Sequence, residues 1–302
     1  MTKPIPSEVN EIICRIPNWA GAKNLQIEPL QGLTNTNYSV TVGSERFVLR
    51  VSGKNAARLG INRELEAEAL STASKAGIGP SVVHFFLPEG HLVTRFIEGH
   101  HWTLAEFRTR DNLRRMVETV KRLHALPPVK AVFSPFRRVE AYAGQVRAMG
   151  VPFPPEFDAL VRKMEAVERE QTGDTYPWQR FCHNDLFWVN VLDDGQVRLI
   201  DWELAGVGDI YYDLATMFHA YDSADTLSRQ LQEYVMECYF GVVRAENWTR
   251  LEGMRFMLMF YSAMWGLLQH GLQRQGLVRI VDGFDFKDYA ETTFAMMRAV
   301  HF

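Results

Sequence analysis

Polar side chains suited to phosphoryl transfer lie on both sides of a predicted β-hairpin in the second half of the chain. Asp185 and Asn190 come before the hairpin, and Asp201 and Glu203 come after it. A hairpin over residues 190–201, with an Asp-Gly turn, would bring Asn190 and Asp201 together. Their amide and carboxylate oxygens are hard ligands that suit Mg²⁺. We therefore predict that these two residues bind Mg²⁺ and that Asp185 accepts or orients the proton of a hydroxyl, as in kinase chemistry.

Two common nucleotide-binding motifs do not fit the sequence. The pattern GxxxxGK[ST] fails around Lys54, where valine and asparagine occupy two of the required positions. The pattern GxGxxG begins at Gly206, but Tyr211 occupies the third glycine position. Any nucleotide site must therefore be built differently from a P-loop or a dinucleotide fingerprint.

Composition narrows the class of protein. The 302 residues carry 33 basic and 36 acidic side chains, a net charge of −3, which argues against broad binding to nucleic acid. The most apolar stretch, residues 256–268, is too short to span a membrane. Cys14, Cys182 and Cys238 lie far apart and form no disulfide framework, and the first ten residues lack the apolar region of a signal peptide. We expect a cytoplasmic protein that binds neither nucleic acid nor membrane.

The elements that must position these residues change in type along the chain. Residues 38–42 and 46–51 alternate like the strands of a hairpin, residues 63–75 have helical periodicity after a capping Asn62, and residues 91–97 form another strand. Helices follow from Asp111, over 157–167, and over about 224–240, 248–273 and 286–300. This order predicts an α+β fold with a small β-rich lobe, residues 1–98, and a larger helical lobe, residues 99–302.

Three segments together resemble the choline/ethanolamine kinase family, within the aminoglycoside phosphotransferase and protein-kinase-like superfamily. They are His183-Asn-Asp-Leu with Asn190, Ile200-Asp-Trp-Glu followed by Asp213, and Gly32-Leu-Thr-Asn-Thr-Asn-Tyr38. The resemblance implies a two-lobed protein-kinase-like fold and an ATP- and Mg²⁺-dependent phosphotransferase. It also implies that His183 orients the catalytic loop and that Asp213 supports it.

The nucleotide-binding residues follow from the same resemblance. A loop covering the phosphates would comprise Gly32, Thr34, Asn35, Thr36 and Asn37. Arg50 stands where protein kinases have a phosphate-binding lysine, and a guanidinium can hold phosphate oxygens through its planar fork. Glu66 fits best as the partner of Arg50 on the next helix, with Glu64 and Glu68 as alternatives.

The acceptor implied by the resemblance is a small alcohol, most simply choline or ethanolamine. A quaternary ammonium needs aromatic faces and a carboxylate. We expect these from Glu203, Trp265 and Tyr221, with further candidates at Trp202, Tyr211 and Tyr212.

Leucines at 204 and 268 replace aromatic residues of the family, and Trp265 could equally belong to the core. An aminoglycoside, thiamine or sugar acceptor therefore stays open, with Glu203, Asp209, Asp222 and Asp225 as carboxylates for a polycation. A pseudokinase-like binding module is the other alternative.

Overall fold

The structure is a computed structural model that describes residues 6–17, 19–22, 24–30, 35–171, 179–219, 227–280 and 283–299. The first part of the described chain builds one antiparallel sheet of five strands in the order β1-β2-β3-β5-β4. Its strands are β1 (Leu25–Leu30), β2 (Thr36–Val42), β3 (Glu45–Val51), β4 (Val82–Phe86) and β5 (His91–Arg95). The β2–β3 hairpin and strand β5 confirm the sequence prediction, whereas β1 and β4 were not predicted.

Helix α1 (Ser7–Cys14) packs against this sheet. Val9, Ile12 and Ile13 are buried in one apolar cluster with strand residues such as Val40 and Phe47. This burial removes apolar surface from water on one side of the small sheet. The helix was not predicted, because its eight residues are too few for a strong helical period.

Helix α2 (Arg63–Lys75) has the predicted bounds and the predicted cap. The Asn62 side chain accepts hydrogen bonds from the backbone N–H groups of Glu64 and Leu65, at 3.0 and 3.1 Å. Ala69 and Leu70 on one face are buried in the core. Glu66 is also buried, so the helix carries an ionisable residue into the interior close to its N-terminus.

The later part of the described chain is mainly helical, which confirms the α+β prediction. The long helix α9 is buried over much of its length and packs against α5, α7 and α10. Helix α5 was not predicted; it begins after the Ser134 cap with proline at its first position. The helices are α3 (Leu104–Phe107), α4 (Arg110–His124), α5 (Pro135–Ala148), α6 (Phe157–Gln171), α7 (Ile210–Phe218), α8 (Arg229–Phe240), α9 (Ala245–Arg274) and α10 (Phe286–Ala299).

Short strands within the helical part fix the two segments that carry the predicted chemistry. They are β6 (His100–His101), β7 (Gln179–Cys182), β8 (Val191–Asp193), β9 (Val197–Leu199) and β10 (Gly206–Asp209). Strands β8 and β9 form the predicted antiparallel hairpin, and β7 pairs with β10. The segment with Asp185 therefore runs between β7 and β8, and Asp201 follows β9. Among the helices in the described ranges, none combines the length and apolarity needed to cross a bilayer.

Candidate active site

The β8–β9 hairpin brings Asp185, Asn190 and the Asp201 segment together. The Asn190 side-chain N–H₂ donates to the Asp185 carboxylate at 2.8 Å and to the Asp185 carbonyl at 2.9 Å. The backbone N–H of Ile200 donates to the Asn190 carbonyl at 3.0 Å. Asp201 has a positive φ of 67°. A left-handed conformation is uncommon outside glycine and is often found at functional sites, so this turn aims the Asp201 side chain at some energetic cost.

Burial and mutual repulsion dominate the electrostatics of these acids. Burial, followed by the charges of Asp201 and Glu203, raises the pKa of Asp185 well above its usual value. Burial and the Glu203 charge raise the pKa of Asp201 to about 7, although Arg50 partly opposes the shift. Buried like charges that raise one another's pKa values are stabilised when a cation arrives.

The donor set fits Mg²⁺. Asp201 offers carboxylate oxygen atoms, and Asn190 directs its amide nitrogen at Asp185, which leaves the amide oxygen for another partner. Mg²⁺ prefers such oxygen ligands and usually keeps several waters. The cluster contains no thiolate or imidazole ligand that would favour a softer metal.

A buried ion pair stands on the sheet side of the same cleft. Arg50 on β3 lies 2.5 Å from Glu66 on α2, and the side chains are 9% and 1% exposed. This settles which of the three glutamates contacts Arg50. Burial alone would lower the pKa of Arg50, but the Glu66 carboxylate raises it overall, so the guanidinium is charged. Its Nε is buried and has no hydrogen-bond acceptor among the described residues, which leaves an N–H donor for an anion.

The predicted phosphate loop is described only in part. Gly32 and Thr34 lie outside the described residues, whereas Asn35, Thr36 and Asn37 lead into and begin β2. Asn37 is directly opposite Arg50 in the β2–β3 register, so the two side chains share a face of the sheet. Asn35 donates to Glu203 at 3.0 Å and accepts from the Gly53 N–H at 3.1 Å. It therefore ties the sheet to the segment after Asp201.

Asp213 is completely buried and holds the catalytic segment through backbone hydrogen bonds. Its carboxylate accepts from the N–H groups of His183 and Asn184, at 3.0 and 2.6 Å, and from Nε2 of His124 at 2.9 Å. His183 donates from Nε2 to the Ile200 carbonyl at 3.0 Å, which links the segment to the residue before Asp201. Burial lowers the pKa of His183 to about 4, so the ring is neutral.

An aromatic wall lies where α9 meets the start of α10. It consists of Trp265 on α9 and three residues at the start of the chain's last helix: Phe284, Phe286 and Tyr289. The Trp265 ring lies 5.4 Å from Phe286 and 5.8 Å from Tyr289, both edge to face. Burial raises the pKa of Tyr289 to about 12; a hydrogen bond with Ser262 opposes this shift, and the Asp185 charge adds to it. Trp265 is only partly buried, and it therefore serves both the core and this wall.

The other predicted acceptor residues differ in position. Tyr221, Asp222 and Asp225 lie outside the described residues. Trp202 is buried, donates to the Leu199 carbonyl and packs on the His183 ring. Tyr211 stacks on Phe240 and binds Asn247. Of the additional tyrosines, Tyr212 alone has its pKa raised in part by the Asp185 charge, after the larger effect of burial.

Sequence reasoning missed Arg63 and Tyr289. Arg63 is the first residue of α2, where an arginine would ordinarily be a solvated surface charge, and no spacing rule distinguishes it. Tyr289 had a weaker but usable signal, because Phe284, Phe286 and Tyr289 interrupt a polar stretch with three aromatics within six residues.

Comparison with known proteins agrees with this geometry. Residues 26–253 match the sequence profile of the phosphotransferase enzyme family. Protein LicA of Haemophilus influenzae is 29% identical over 223 residues, which cover 72% of this chain and 63% of LicA. The chain thus spans less than two thirds of the length of that relative.

Two solved structures have the same fold. A choline/ethanolamine kinase family protein from Mesorhizobium loti superposes with a TM-score of 0.76 at 29% identity, over 97% of this chain and 93% of the other. A spectinomycin phosphotransferase, solved with ADP and spectinomycin, superposes with a TM-score of 0.61 at 15% identity, over 99% and 100% of the two chains. The second likeness concerns the fold alone.

Proposed function

The chain belongs to the phosphotransferase enzyme family, and from that premise we propose that it transfers the γ-phosphoryl group of ATP to the hydroxyl of choline or ethanolamine. The observation that carries the proposal is the Asp185 carboxylate, which Asn190 holds by a hydrogen bond and which faces the like charges of Asp201 and Glu203. Trp265 and Tyr289, which are partly exposed, would offer aromatic rings to a cationic head, and Asp185 would accept the proton of the hydroxyl.

Asp185 prepares the acceptor oxygen. Its raised pKa makes it a better proton acceptor than an exposed aspartate, and Asn190 holds one of its oxygens by a 2.8 Å hydrogen bond. The Asp185 carboxylate would accept the hydroxyl proton as the oxygen bonds to the γ-phosphorus and the bond to the β-phosphate oxygen breaks. Transfer of this kind depends mainly on positioning and on neutralised charge.

The donor would lie between the sheet and the hairpin. Arg50, held by Glu66, would contact phosphate oxygens, and the segment from Gly32 to Asn37 would cover them. Asn190 and Asp201 would hold Mg²⁺, which when bound neutralises phosphate charge. His183 and Asp213 keep the catalytic segment in place. The ADP seen in the related spectinomycin phosphotransferase supports a nucleotide as donor.

An aminoglycoside acceptor has less support from the described residues. Asp209, one of the carboxylates considered for a polycation, is buried at the start of α7 and accepts from the Tyr211 N–H at 2.8 Å. It is therefore committed to the helix N-terminus. Glu203 has one carboxylate oxygen that accepts no hydrogen bond from the described residues, which suits a single positive charge.

An ADP-release assay with Mg·ATP tests the proposal directly. We expect turnover with choline or ethanolamine that exceeds turnover with kanamycin, spectinomycin or thiamine by at least about a hundredfold in kcat/KM. Faster turnover of an aminoglycoside or of thiamine would show that this compound is the acceptor in place of choline or ethanolamine. Binding of Mg·ADP in a thermal-shift titration with no turnover of any acceptor would indicate a nucleotide-binding module without catalysis.

A further inference from the structure

Arg63 joins the two halves of the cleft at a position that phosphoryl transfer itself does not require. One of its terminal nitrogens, Nη1, lies 2.6 Å from Glu66 on the same helix and 3.3 Å from Glu203, which follows the metal-side hairpin. The Arg63 side chain is 6% exposed, and that of Glu203 is 12% exposed. A single guanidinium therefore connects the start of α2 with the segment after Asp201.

Arg63 is the third of four charges that alternate across the cleft. Glu66 gives one oxygen to Arg50 and the other to Arg63, and Arg63 continues to Glu203. In the proposed function, the Arg50–Glu66 pair is the part of this series of charges that meets the phosphates. A second buried arginine adds a bond to Glu203, and burying an arginine is costly unless its charge is balanced. The hydrogen bond to Glu203 is thus the contact that distinguishes Arg63 from Arg50.

The turn between β4 and β5 is shaped to admit this arginine. Gly90 has a φ of +86°, and a Cβ at this position would lie 2.5 Å from Cδ of Arg63. The Gly90 carbonyl also accepts from Arg50 at 3.1 Å. The absence of a side chain at Gly90 therefore leaves room for Arg63, and the Gly90 carbonyl holds Arg50.

Glu203 receives both of its donors on one oxygen. Arg63 and Asn35 each donate to Oε2, at 3.3 and 3.0 Å. Within the described residues, no hydrogen bond reaches Oε1 of Glu203. The carboxylate is thus held from the sheet side with one oxygen left for a ligand. Glu203, Arg63 and Asn35 line a cavity of about 290 Å³ between the two halves of the molecule.

We propose that Arg63 is a positioning residue for the acceptor: it orients Glu203 so that the free oxygen meets the acceptor's positive charge, and it keeps the two halves of the cleft together around that charge. The inference rests on the proposed function. It assigns the effect of Arg63 to the cationic head of the acceptor and leaves nucleotide affinity to Arg50 and Glu66.

Comparing the turnover of a charged acceptor with that of its uncharged isostere distinguishes this role of Arg63 from a general structural role. Choline is compared with 3,3-dimethylbutan-1-ol, and ethanolamine with propan-1-ol, for the wild type, Arg63→Met and Arg63→Lys. We expect Arg63→Met to lower kcat/KM for the charged alcohol by about tenfold or more, with less than about a threefold change for the isostere. The Kd for Mg·ADP should change less than about threefold. Arg63→Lys, which keeps the charge, should recover part of the loss.

A double-mutant cycle tests the route through Glu203. Once Glu203→Gln is present, adding Arg63→Met should lower kcat/KM by less than about twofold, because the contact is already lost. Arg114→Met serves as the matched control, since Arg114 forms exposed ion pairs with Asp111 and Glu118 far from the cleft. We expect this control to match the wild type.

Several results would overturn the inference. Equal losses for the charged alcohol and its isostere, a loss of Mg·ADP affinity in Arg63→Met, or full additivity with Glu203→Gln would each do so. If Arg63→Met does not fold, Arg63→Lys decides by the same comparison of acceptors. An inactive wild type would overturn the proposed function as well, whereas an active wild type with equal losses overturns only the role of Arg63.

Discussion

Asp213 differs from Asp185 and Asp201 in how much of its hydrogen bonding the protein supplies. Asp213 accepts three hydrogen bonds from the protein, from the His183 and Asn184 backbone and from the His124 ring. Among the described residues, Asp185 has one side-chain donor, Asn190, and it faces the like charges of Asp201 and Glu203. The protein therefore completes the hydrogen bonding of Asp213 and leaves the other acids to be completed by ligands.

This difference separates stability from function. A fully bonded buried carboxylate holds the backbone around it, because each lost partner would leave a buried donor unsatisfied. Acids that repel one another lower stability until a cation or a proton arrives. We infer that Asp213 stabilises the segment, and that Asp185 and Asp201 reduce stability in exchange for a site that binds metal and acceptor.

Asp213→Asn should have the largest effect on stability. The amide nitrogen would face at least one of the backbone N–H donors, so we expect the free energy of unfolding to fall by about 3 kcal/mol. Urea unfolding followed by circular dichroism measures this change. Asp111→Asn, at an exposed ion pair, is the control and should change stability by less than about 0.5 kcal/mol. An unchanged midpoint for Asp213→Asn would remove the distinction between Asp213 and the other two aspartates.

Asp209 provides a smaller test through pH. Burial raises its pKa to about 7, so the folded protein keeps a proton there that the unfolded chain releases above about pH 4. The free energy of unfolding should therefore fall as pH rises through 7, by about 1 kcal/mol between about pH 6 and pH 8 from this residue. Asp209→Asn, which can still cap α7, should remove this contribution to the pH dependence of the free energy of unfolding. The same pH slope in the variant and the wild type would contradict the assignment.

Helix caps, apolar spacing and turn residues predicted the elements whose ends they mark. Asn62 and the apolar spacing after it gave the bounds of α2, and the Asp-Gly turn indicated the β8–β9 hairpin. Strand β1 was missed because most of its residues are exposed, so alternation between apolar and polar residues is weak. Helix α5 was missed because its identity depends on packing against α9 rather than on a strong period of its own.

The residues of the candidate site also differ in whether a local sequence pattern could predict them. Asp185, Asn190 and Asp201 could be proposed because a single hairpin brings them together. Arg63 could not, because its position depends on a contact with Glu203, a residue 140 positions later in the chain. Spacing along a sequence carries no information about such contacts.

The central claim is that Asp185 is left for the acceptor rather than for the fold, and Asp185→Ala tests it most directly. Formation of the phosphorylated amino alcohol is followed by ³¹P NMR with Mg·ATP, alongside the thermal shift produced by Mg·ADP. We predict a rate about 10³-fold or more below that of the wild type, with the Mg·ADP shift retained and the unfolding temperature equal or higher. Product formation by Asp185→Ala at a rate close to that of the wild type would contradict the account.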